Sequence, residues 1–328
     1  MRRREFITLL SGAAAAWPLA GRAQQPTMPV VAFLRTVSAD IESRNVTAFR
    51  KGLNETGYVE GQNVTVDYYW LESPYDRLRA LIADLVRRQV AVIATIGTPL
   101  VALAVKAATA TIPIIFGEGI DPVELGLVPS LARPGGNVTG NYFLITETTT
   151  KRLRLLRDMV PKAVRVAVLV NPTNAATAKS VLREVQEAAP SIGLNIQILN
   201  ASTIGEIDAA FATLVRERCD ALFVDGDALF LSRRPQFVTL TARDRIPAAF
   251  AQRDYVEAGA LMSYGTDIAD TFRQVGVYTG KILKGAKPAE LPVLQSTKFE
   301  FVINRQTARA LGIEVPPGLI SIADEVIE

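Results

Sequence analysis

One order of predicted strands occurs twice along this chain, and that repetition limits the folds that it can adopt. Short apolar runs alternate with segments whose apolar residues recur at helical spacing, a pattern typical of βαβ units and parallel sheets. Four strand positions reappear in the second half, roughly 130 residues later and in the same order. The matched runs are 30–34 with 165–170, 64–68 with 195–199, 90–96 with 219–225, and Ile112-Pro113 with Ile246-Pro247. Any α/β chain has some self-similarity, but this order favours duplication and predicts two doubly wound parallel-sheet lobes.

The first 23 residues have the features of a twin-arginine export signal. Residues 3–6 read RREF, an apolar run covers 7–16, and the small residues Gly21 and Ala23 precede the expected cleavage site. The apolar run is too short to span a bilayer, which argues against the alternative of a membrane anchor. We therefore expect a periplasmic protein from which residues 1–23 are removed.

The composition excludes several functional classes. Four of the 36 basic and one of the 33 acidic residues lie in the signal, so the remainder carries 32 of each and gives no electrostatic reason to bind nucleic acid. The chain has no histidine, which removes the usual catalytic triads and histidine metal sites. Its single cysteine, Cys219, precedes an apolar run and is expected to be a buried structural thiol. No nucleophile-elbow or phosphate-binding motif is present, so we expect neither an enzyme nor a cofactor or metal site.

The joints between the lobes are visible as turns and extended segments. The turn 133–137 leads into an extended run, 138–144, which is a candidate first crossing between lobes. A second crossing is expected between Tyr255 and Tyr264, and a third within 298–303. The predicted division is an N-terminal lobe of residues 24–142 plus about 263–297, and a C-terminal lobe of 143–262 plus about 298–328.

Nine short segments, in order along nearly the whole mature chain, resemble one known family. They are AFRKGL (48–53), GYVEGQNV (57–64), IPIIF (112–116), DPV (121–123), GLV (126–128), LARPGGNVTG (131–140), VNPTN (170–174), ILKGAKP (282–288) and ARALG (308–312). The chain resembles ABC transporter substrate-binding proteins of the type I periplasmic binding fold, in the group with tryptophan- and tyrosine-binding lipoproteins. The resemblance implies two lobes joined by three crossover strands, a small-molecule ligand held between them, and an inner-membrane ABC permease as partner. Many relatives have a lipoprotein cysteine after the signal, whereas Gln24 stands here, so we expect a monomer without a lipid anchor.

Candidate ligand contacts in the first lobe follow from the position of its strands. Ligands of open α/β sheets bind beyond the carboxyl ends of the strands, where helix N-termini gather. The candidates are Thr36 and Ser38 after the first strand, Gly97, Thr98 and Pro99 after the third, and Glu118 and Asp121 after the fourth. The amides near Thr98 suit a ligand carboxylate or form an ordinary helix start. The acids suit a ligand ammonium, although Asp121 is equally a cap for a helix beginning at Pro122.

The second lobe offers equivalent loops. Its candidates are Asn171 and Asn174 after one strand, Asp225 and Asp227 after another, and Arg253 after a third. The two aspartates are compatible with a cation-binding wall, with metal or acid–base work, or with a helix cap. Arg253 would form either a bidentate contact with a ligand acid or a surface ion pair.

These features favour a periplasmic solute-binding protein that delivers a small organic ligand to an ABC permease. The expected ligand is an amino acid, with aromatic and branched side chains both compatible, or another small carboxylate. A sensory module that presents its closed state to a membrane receptor fits the same sequence. An exported enzyme is the less favoured alternative, because no motif supports it.

Overall fold

The computed structural model describes residues 28–36, 43–71, 76–143 and 145–328. The predicted export signal and the candidate Ser38 lie outside these ranges. The first part of the chain forms β1 Val30–Arg35, α1 Ser43–Glu55, β2 Thr65–Trp70, α2 Asp76–Arg88, β3 Val92–Ile96, α3 Pro99–Ala108, β4 Ile114–Glu118 and β5 Val138–Tyr142. No described helix combines the length and hydropathy that a membrane span requires.

The second part of the chain repeats this alternation of strands and helices. It forms α4 Ile145–Met159, β6 Arg165–Val170, α5 Ala175–Ala188, β7 Asn195–Asn200, α6 Ile204–Arg216, β8 Ala221–Val224, α7 Ala228–Ser232, α8 Arg234–Asp244, β9 Ala248–Phe250, α9 Arg253–Glu257 and β10 Met262–Thr266. The last part forms α10 Ile268–Leu283, β11 Leu294–Gln295, β12 Phe299–Asn304, α11 Arg305–Leu311, α12 Pro317–Ile322 and β13 Glu325–Ile327. Short 3₁₀ turns at Ala189–Ile192 and Pro288–Glu290 connect neighbouring elements.

The first lobe is a six-stranded parallel sheet in the order β11-β5-β4-β3-β1-β2. Its central strands are buried on both faces, which explains why they read as continuous apolar runs. Helices α2 and α3 cover one face through residues such as Ile82 and Val105. Helices α1 and α10 cover the other through residues such as Phe49 and Phe272. The predicted doubly wound arrangement is therefore present.

Two glycines allow α1 and α10 to pack backbone to backbone. A Cβ at Gly52 would lie 1.9 Å from the carbonyl oxygen of Arg273, and a Cβ at Gly276 would lie 2.1 Å from that of Phe49. No side chain fits at either position, so the close approach depends on glycine. This contact fixes α10, which arrives late in the chain, onto the first lobe.

The second lobe is a seven-stranded sheet in the order β13-β12-β10-β9-β8-β6-β7. Apolar residues of α4 and α5 pack on one face and those of α6 and α8 on the other. Cys219 is buried here, as predicted. The prediction of parallel strands holds except for β10 and β12, which are antiparallel, with Thr266 opposite Phe299. The reason is that β12 begins at the boundary between the lobes where β10 ends, so the chain runs back along it.

The chain passes between the two sheets three times, after β5, after β10 and after β11. The second passage falls after Thr266, later than the predicted interval from Tyr255 to Tyr264, because β10 still pairs within the second sheet. The third falls just before β12, whereas the predicted segment 298–303 lies almost wholly within that strand. An apolar strand pattern identifies a strand but not the sheet to which it belongs.

Candidate ligand-binding cleft

A cavity of about 920 Å³ lies between the lobes, at the carboxyl ends of their parallel strands. This is the position that the strand-end argument predicts. The predicted residues that line it are Thr36, Gly97, Thr98, Pro99, Glu118, Asn171, Asn174 and Asp227. The predicted residues Asp121, Asp225 and Arg253 are not part of its lining.

Glu118, the last residue of β4, is the most unusual side chain of the cleft. It is fully buried, and neither carboxylate oxygen has a hydrogen-bond partner among the described residues. Burial raises the pKa of Glu118 well above its usual value, while the charge of Arg35 and the amide of Thr98 oppose this rise. An unpaired buried carboxyl is costly to the fold, and such groups are concentrated at functional sites. Glu118 is therefore suited to receive a hydrogen-bond donor from a ligand.

Arg35, the last residue of β1, is held against the loop after β3. Its Nη1 donates to the carbonyl oxygen of Ile96, and its guanidinium lies 5.1 Å from the ring centroid of Phe272. Gly97 has a φ of +77°, and a Cβ there would lie 2.4 Å from Nη1 of Arg35. Gly97 thus both adopts the left-handed conformation and leaves room for the guanidinium. This position of Arg35 places a positive charge beside Glu118. Arg35 was not among the site residues that the sequence predicted.

Thr98 occupies the N-cap position of α3 without capping it through its side chain. Its hydroxyl lies instead 2.7 Å from the hydroxyl of Thr36, which joins the loops after β1 and β3. The sequence favoured these amides as a site for a ligand carboxylate. Because the carboxyl of Glu118 is next to the Thr98 amide, it competes with a ligand carboxylate for that donor. The buried carboxyl of Glu118 is instead the acceptor that the first lobe offers to a hydrogen-bond donor of a ligand.

Arg152 of α4 is a charged group that the second lobe contributes to the cleft, in addition to Asp227 and Arg233. It is fully buried, its guanidinium stacks 4.2 Å from the ring centroid of Phe223, and Nη1 donates to the carbonyl of Tyr264 over 3.4 Å. Its Nε and Nη2 have no hydrogen-bond partner within the described chain. Desolvation lowers the pKa of Arg152 to about 10, so the side chain remains cationic at neutral pH. It lines the cleft opposite the first lobe.

The sequence carries a signal for Arg152 in the periodicity of α4. The apolar stripe of α4 includes Leu153 and Leu156, and the position of Arg152 falls on the same side of the helix as these residues. An arginine on the buried stripe of a helix is rare unless it has a partner or a function. The neighbouring Asp225 is buried as well, and burial raises its pKa to about 6 against the opposing charge of Arg152.

Asp227 is fully engaged within its own lobe. Its Oδ1 accepts from the side chain of Asn171 over 3.0 Å and from the amide of Leu229 over 2.9 Å, and its Oδ2 accepts from Asn174 over 3.1 Å. Asp227 is thus the N-cap of α7, which was one of the alternatives for this pair of acids. Its hydrogen bonds fix Asn171 and Asn174 in the cleft wall and leave it little capacity for a cation.

Two predicted residues have other partners outside the cleft. Asp121 accepts from the amide of Val123 over 2.7 Å and so caps a turn, whereas its alternative interpretation expected a helix beginning at Pro122. Arg253 pairs with three carboxylates, those of Glu257, Glu300 and Glu325. Each nitrogen of its guanidinium donates to one of these carboxylates, so Arg253 forms the ion-pair cluster that was the alternative to a ligand contact.

Two α/β lobes with charged, unpaired side chains in the cleft between them define the class of bilobal solute-binding proteins. The family model of ABC transporter substrate binding proteins matches residues 30–327, and the chain belongs to that family. It is 30% identical over 268 residues to a tyrosine-binding protein of Clostridioides difficile, covering 81% of this chain and 76% of the relative. The chain is accordingly a binding protein of an ABC transporter and not an enzyme, with the type I periplasmic binding fold.

Two solved structures allow the arrangement of the lobes to be compared. The structure of an ABC domain in complex with L-Trp from Streptococcus pneumoniae matches with a TM-score of 0.80 at 26% identity, covering 91% of this chain and 99% of that one. The ligand-free, open structure of a substrate-binding protein from Clostridium difficile matches with a TM-score of 0.67 at 25% identity and the same coverages. Identity and coverage are similar for the two structures, and the TM-score is higher for the complex with L-Trp than for the ligand-free, open structure.

Proposed function

We propose that this protein captures a zwitterionic amino acid between its lobes and delivers it to an ABC permease. One observation carries the proposal. Glu118 of the first lobe and Arg152 of the second are an acid and a base that are both fully buried, line one cleft and keep polar atoms without partners among the described residues. An α-amino acid presents the complementary pair of charges.

The two contacts would act together with closure of the lobes. A ligand ammonium placed on Glu118 favours its ionised form, and a ligand carboxylate satisfies the free donors of Arg152. Hydrogen bonds of this kind contribute about 1.5–3 kcal/mol each. Because the two side chains belong to different lobes, one small ligand reaches both only when the lobes are close. Binding therefore shifts the equilibrium towards the closed state, which is the state that a permease would recognise.

The relatives support an amino acid as the ligand. One is named for tyrosine and another was solved with L-Trp. The cavity of about 920 Å³ has room for a side chain of that size. An aromatic or branched amino acid is therefore the ligand that we propose.

The remaining parts of the proposal concern the cellular setting. The signal-like residues 1–23 support export by the twin-arginine route to the periplasm, and the family supports an inner-membrane permease as partner. Gln24 after the expected cleavage site supports a mature protein without a lipid anchor, and we propose that it acts as a monomer. We also propose that the lobe boundaries lie near residues 142 and 297.

Calorimetric titration of the purified protein tests the ligand class. Tyrosine, tryptophan and leucine would be compared with tyramine, which lacks the carboxylate, and with 3-(4-hydroxyphenyl)propionate, which lacks the amine. We expect at least one amino acid to bind, unchanged after incubation, and each truncated analogue to bind about 10–100-fold more weakly than tyrosine. Equal affinity for tyrosine and its deaminated analogue would contradict the role of Glu118.

Uptake measurements test delivery to a permease. A strain without this protein is expected to lose uptake of the labelled amino acid at concentrations near its Kd, and export of the protein should restore it. Unchanged uptake, together with tight binding in vitro, would favour a sensory role instead.

A further inference from the structure

Helix α3 is apolar on two faces, although only one of them is buried in the core. Its sequence, PLVALAVKAA, contains a single polar residue, Lys106. Val101, Ala102 and Val105 are buried in the first lobe. Leu100 is 51% exposed and Leu103 is half-buried on the other side. A helix that is apolar on all sides is normally buried on all sides, so α3 has a second apolar face that the core does not bury.

This second face belongs to the cleft. Pro99, Leu100 and Leu103 line the cavity between the lobes. Of the large hydrophobic residues that are exposed in the described part of the chain, only Leu100 lines this cavity. The first lobe adds further apolar lining to the same cavity, from Leu71, Ile120, Leu125 and Phe143.

The wall contributed by the second lobe is mixed: Ala228, Leu229, Leu231 and Ala251 add apolar lining to a set of polar side chains. Asn171, Thr173, Asn174, Ser202 and Gln252 line the cavity from that side. Several of these side chains are already bonded to one another, since Asn171 accepts from both Thr173 and Ser202. Because these polar side chains are bonded to one another, the exposed side chain of Leu100 is the large apolar group of the lining that is most accessible to an apolar group of a ligand.

The apolar wall is next to the group proposed to hold the ligand's ammonium. Pro99 and Leu100 directly follow Thr98, whose amide is beside the carboxyl of Glu118. A ligand anchored there by its amine therefore has its side chain within reach of the first turn of α3. The part of the wall formed by the first turns of α3 is aliphatic, and Phe143 and Phe272 line the cavity elsewhere. Tyr68 and Trp70 of β2 stack on each other and contact Phe33 instead of lining the cavity.

We propose that Leu100, supported by Leu103, determines specificity by packing against the side chain of the bound amino acid. The inference rests on the proposed function and adds the basis of its selectivity. The aliphatic side chains of Leu100 and Leu103 select by the apolar area that a ligand buries against them. The protein should therefore bind leucine and methionine as well as tryptophan and tyrosine, whereas it should bind alanine, serine and aspartate much more weakly.

Two variants at one position test the wall. Leu100→Ala and Leu100→Asn are titrated with tryptophan, leucine, alanine and glycine by calorimetry. Leu100→Asn is expected to weaken binding of tryptophan and leucine about tenfold, with a smaller loss for Leu100→Ala, and to change the affinities for alanine and glycine less than about twofold. Because half of Leu100 is exposed, neither variant should change the unfolding temperature.

Val215→Asn is the matched control, since Val215 is 49% exposed on α6 and lies outside the cleft lining. It should leave every affinity as in the wild type. An equal loss for all amino acids with Leu100→Asn, or no loss for any, would overturn the specificity role alone. A wild-type protein that binds no amino acid would overturn the proposed function, and this inference with it.

Discussion

Nη1 of Arg44 lies 3.6 Å from Oε1 of Glu257, and this pair joins the first lobe to the second. The same guanidinium lies 3.8 Å from Glu300. Both acids also pair with Arg253, so Arg44 is attached to a cluster that the second lobe organises by itself. Opening of the cleft would separate Arg44 from this cluster, because α1 packs on the first lobe and the acids belong to the second.

Arg44→Ala should therefore weaken ligand binding in a salt-dependent way. Partly exposed ion pairs contribute up to about 1 kcal/mol, so we expect the Kd of the bound amino acid to rise about 2–5-fold at low ionic strength. The difference should disappear near 1 M salt because the charges are then screened. Arg50→Ala is the control, since Arg50 lies on the same helix, is similarly exposed and pairs with Glu60 inside the first lobe. An equal effect of both variants would exclude a role for Arg44 across the lobes.

Glu118→Gln should change how stability depends on pH. The folded-state pKa of Glu118 lies above its unfolded value of about 4.5, so above that pH the folded state retains a proton that the unfolded state has lost. The free energy of unfolding of the wild type therefore falls as pH rises from about 4.5. The glutamine variant lacks this fall and should gain stability over the wild type between pH 4 and pH 7.5 in urea titrations.

The same variant should lose affinity for the amino acid, because a neutral amide cannot compensate an ammonium. Glu314→Gln, at an exposed position, should reproduce neither effect. A variant that binds as the wild type does would remove Glu118 from the proposed site, whatever its stability.

Much of the fold could be predicted because it depends on local patterns. The apolar runs of β1, β3 and β6 are buried on both faces, and burial of this kind leaves a direct record in the sequence. The loops that line the cleft could be predicted because they follow the ends of these strands. The antiparallel pairing of β10 with β12 could not be predicted, because it depends on where the chain re-enters the second lobe.

The side chains of the site were harder to predict than its loops. Glu118 was named from its position, but Arg152 was not, since it comes from the middle of a helix and its partners are distant in sequence. Asp227 and Arg253 were named as ligand contacts that the structure instead shows bonded to other residues. The sequence identifies a charged residue near the end of a strand, but the packing of the folded chain determines which group that residue bonds to.

Asp225→Asn should flatten the pH dependence of stability in the acidic range. The pKa of Asp225 rises from about 3.8 to about 6 on folding, so the wild type loses stability as pH rises between these values and not above them. Arg152 stays charged throughout, because its pKa is about 10. Unfolding temperatures at pH 4, 5, 6 and 7 would show a steeper fall for the wild type than for the variant. The exposed Asp158→Asn should retain the wild-type slope, and identical slopes for Asp225→Asn and the wild type would contradict the raised pKa.

Gly97→Ala separates the strain of a backbone conformation from the displacement of a side chain. Gly97 and Gly57 both have positive φ, +77° and +87°, so alanine costs about 1 kcal/mol at either position. A Cβ at Gly57 has nothing within 4 Å, whereas at Gly97 it would lie 2.4 Å from Nη1 of Arg35. We therefore expect Gly97→Ala to destabilise more than Gly57→Ala in urea titrations and to weaken ligand binding as well, because Arg35 lines the cleft beside Glu118. Equal losses of stability with unchanged affinity would show that the guanidinium of Arg35 can move aside without consequence for the site.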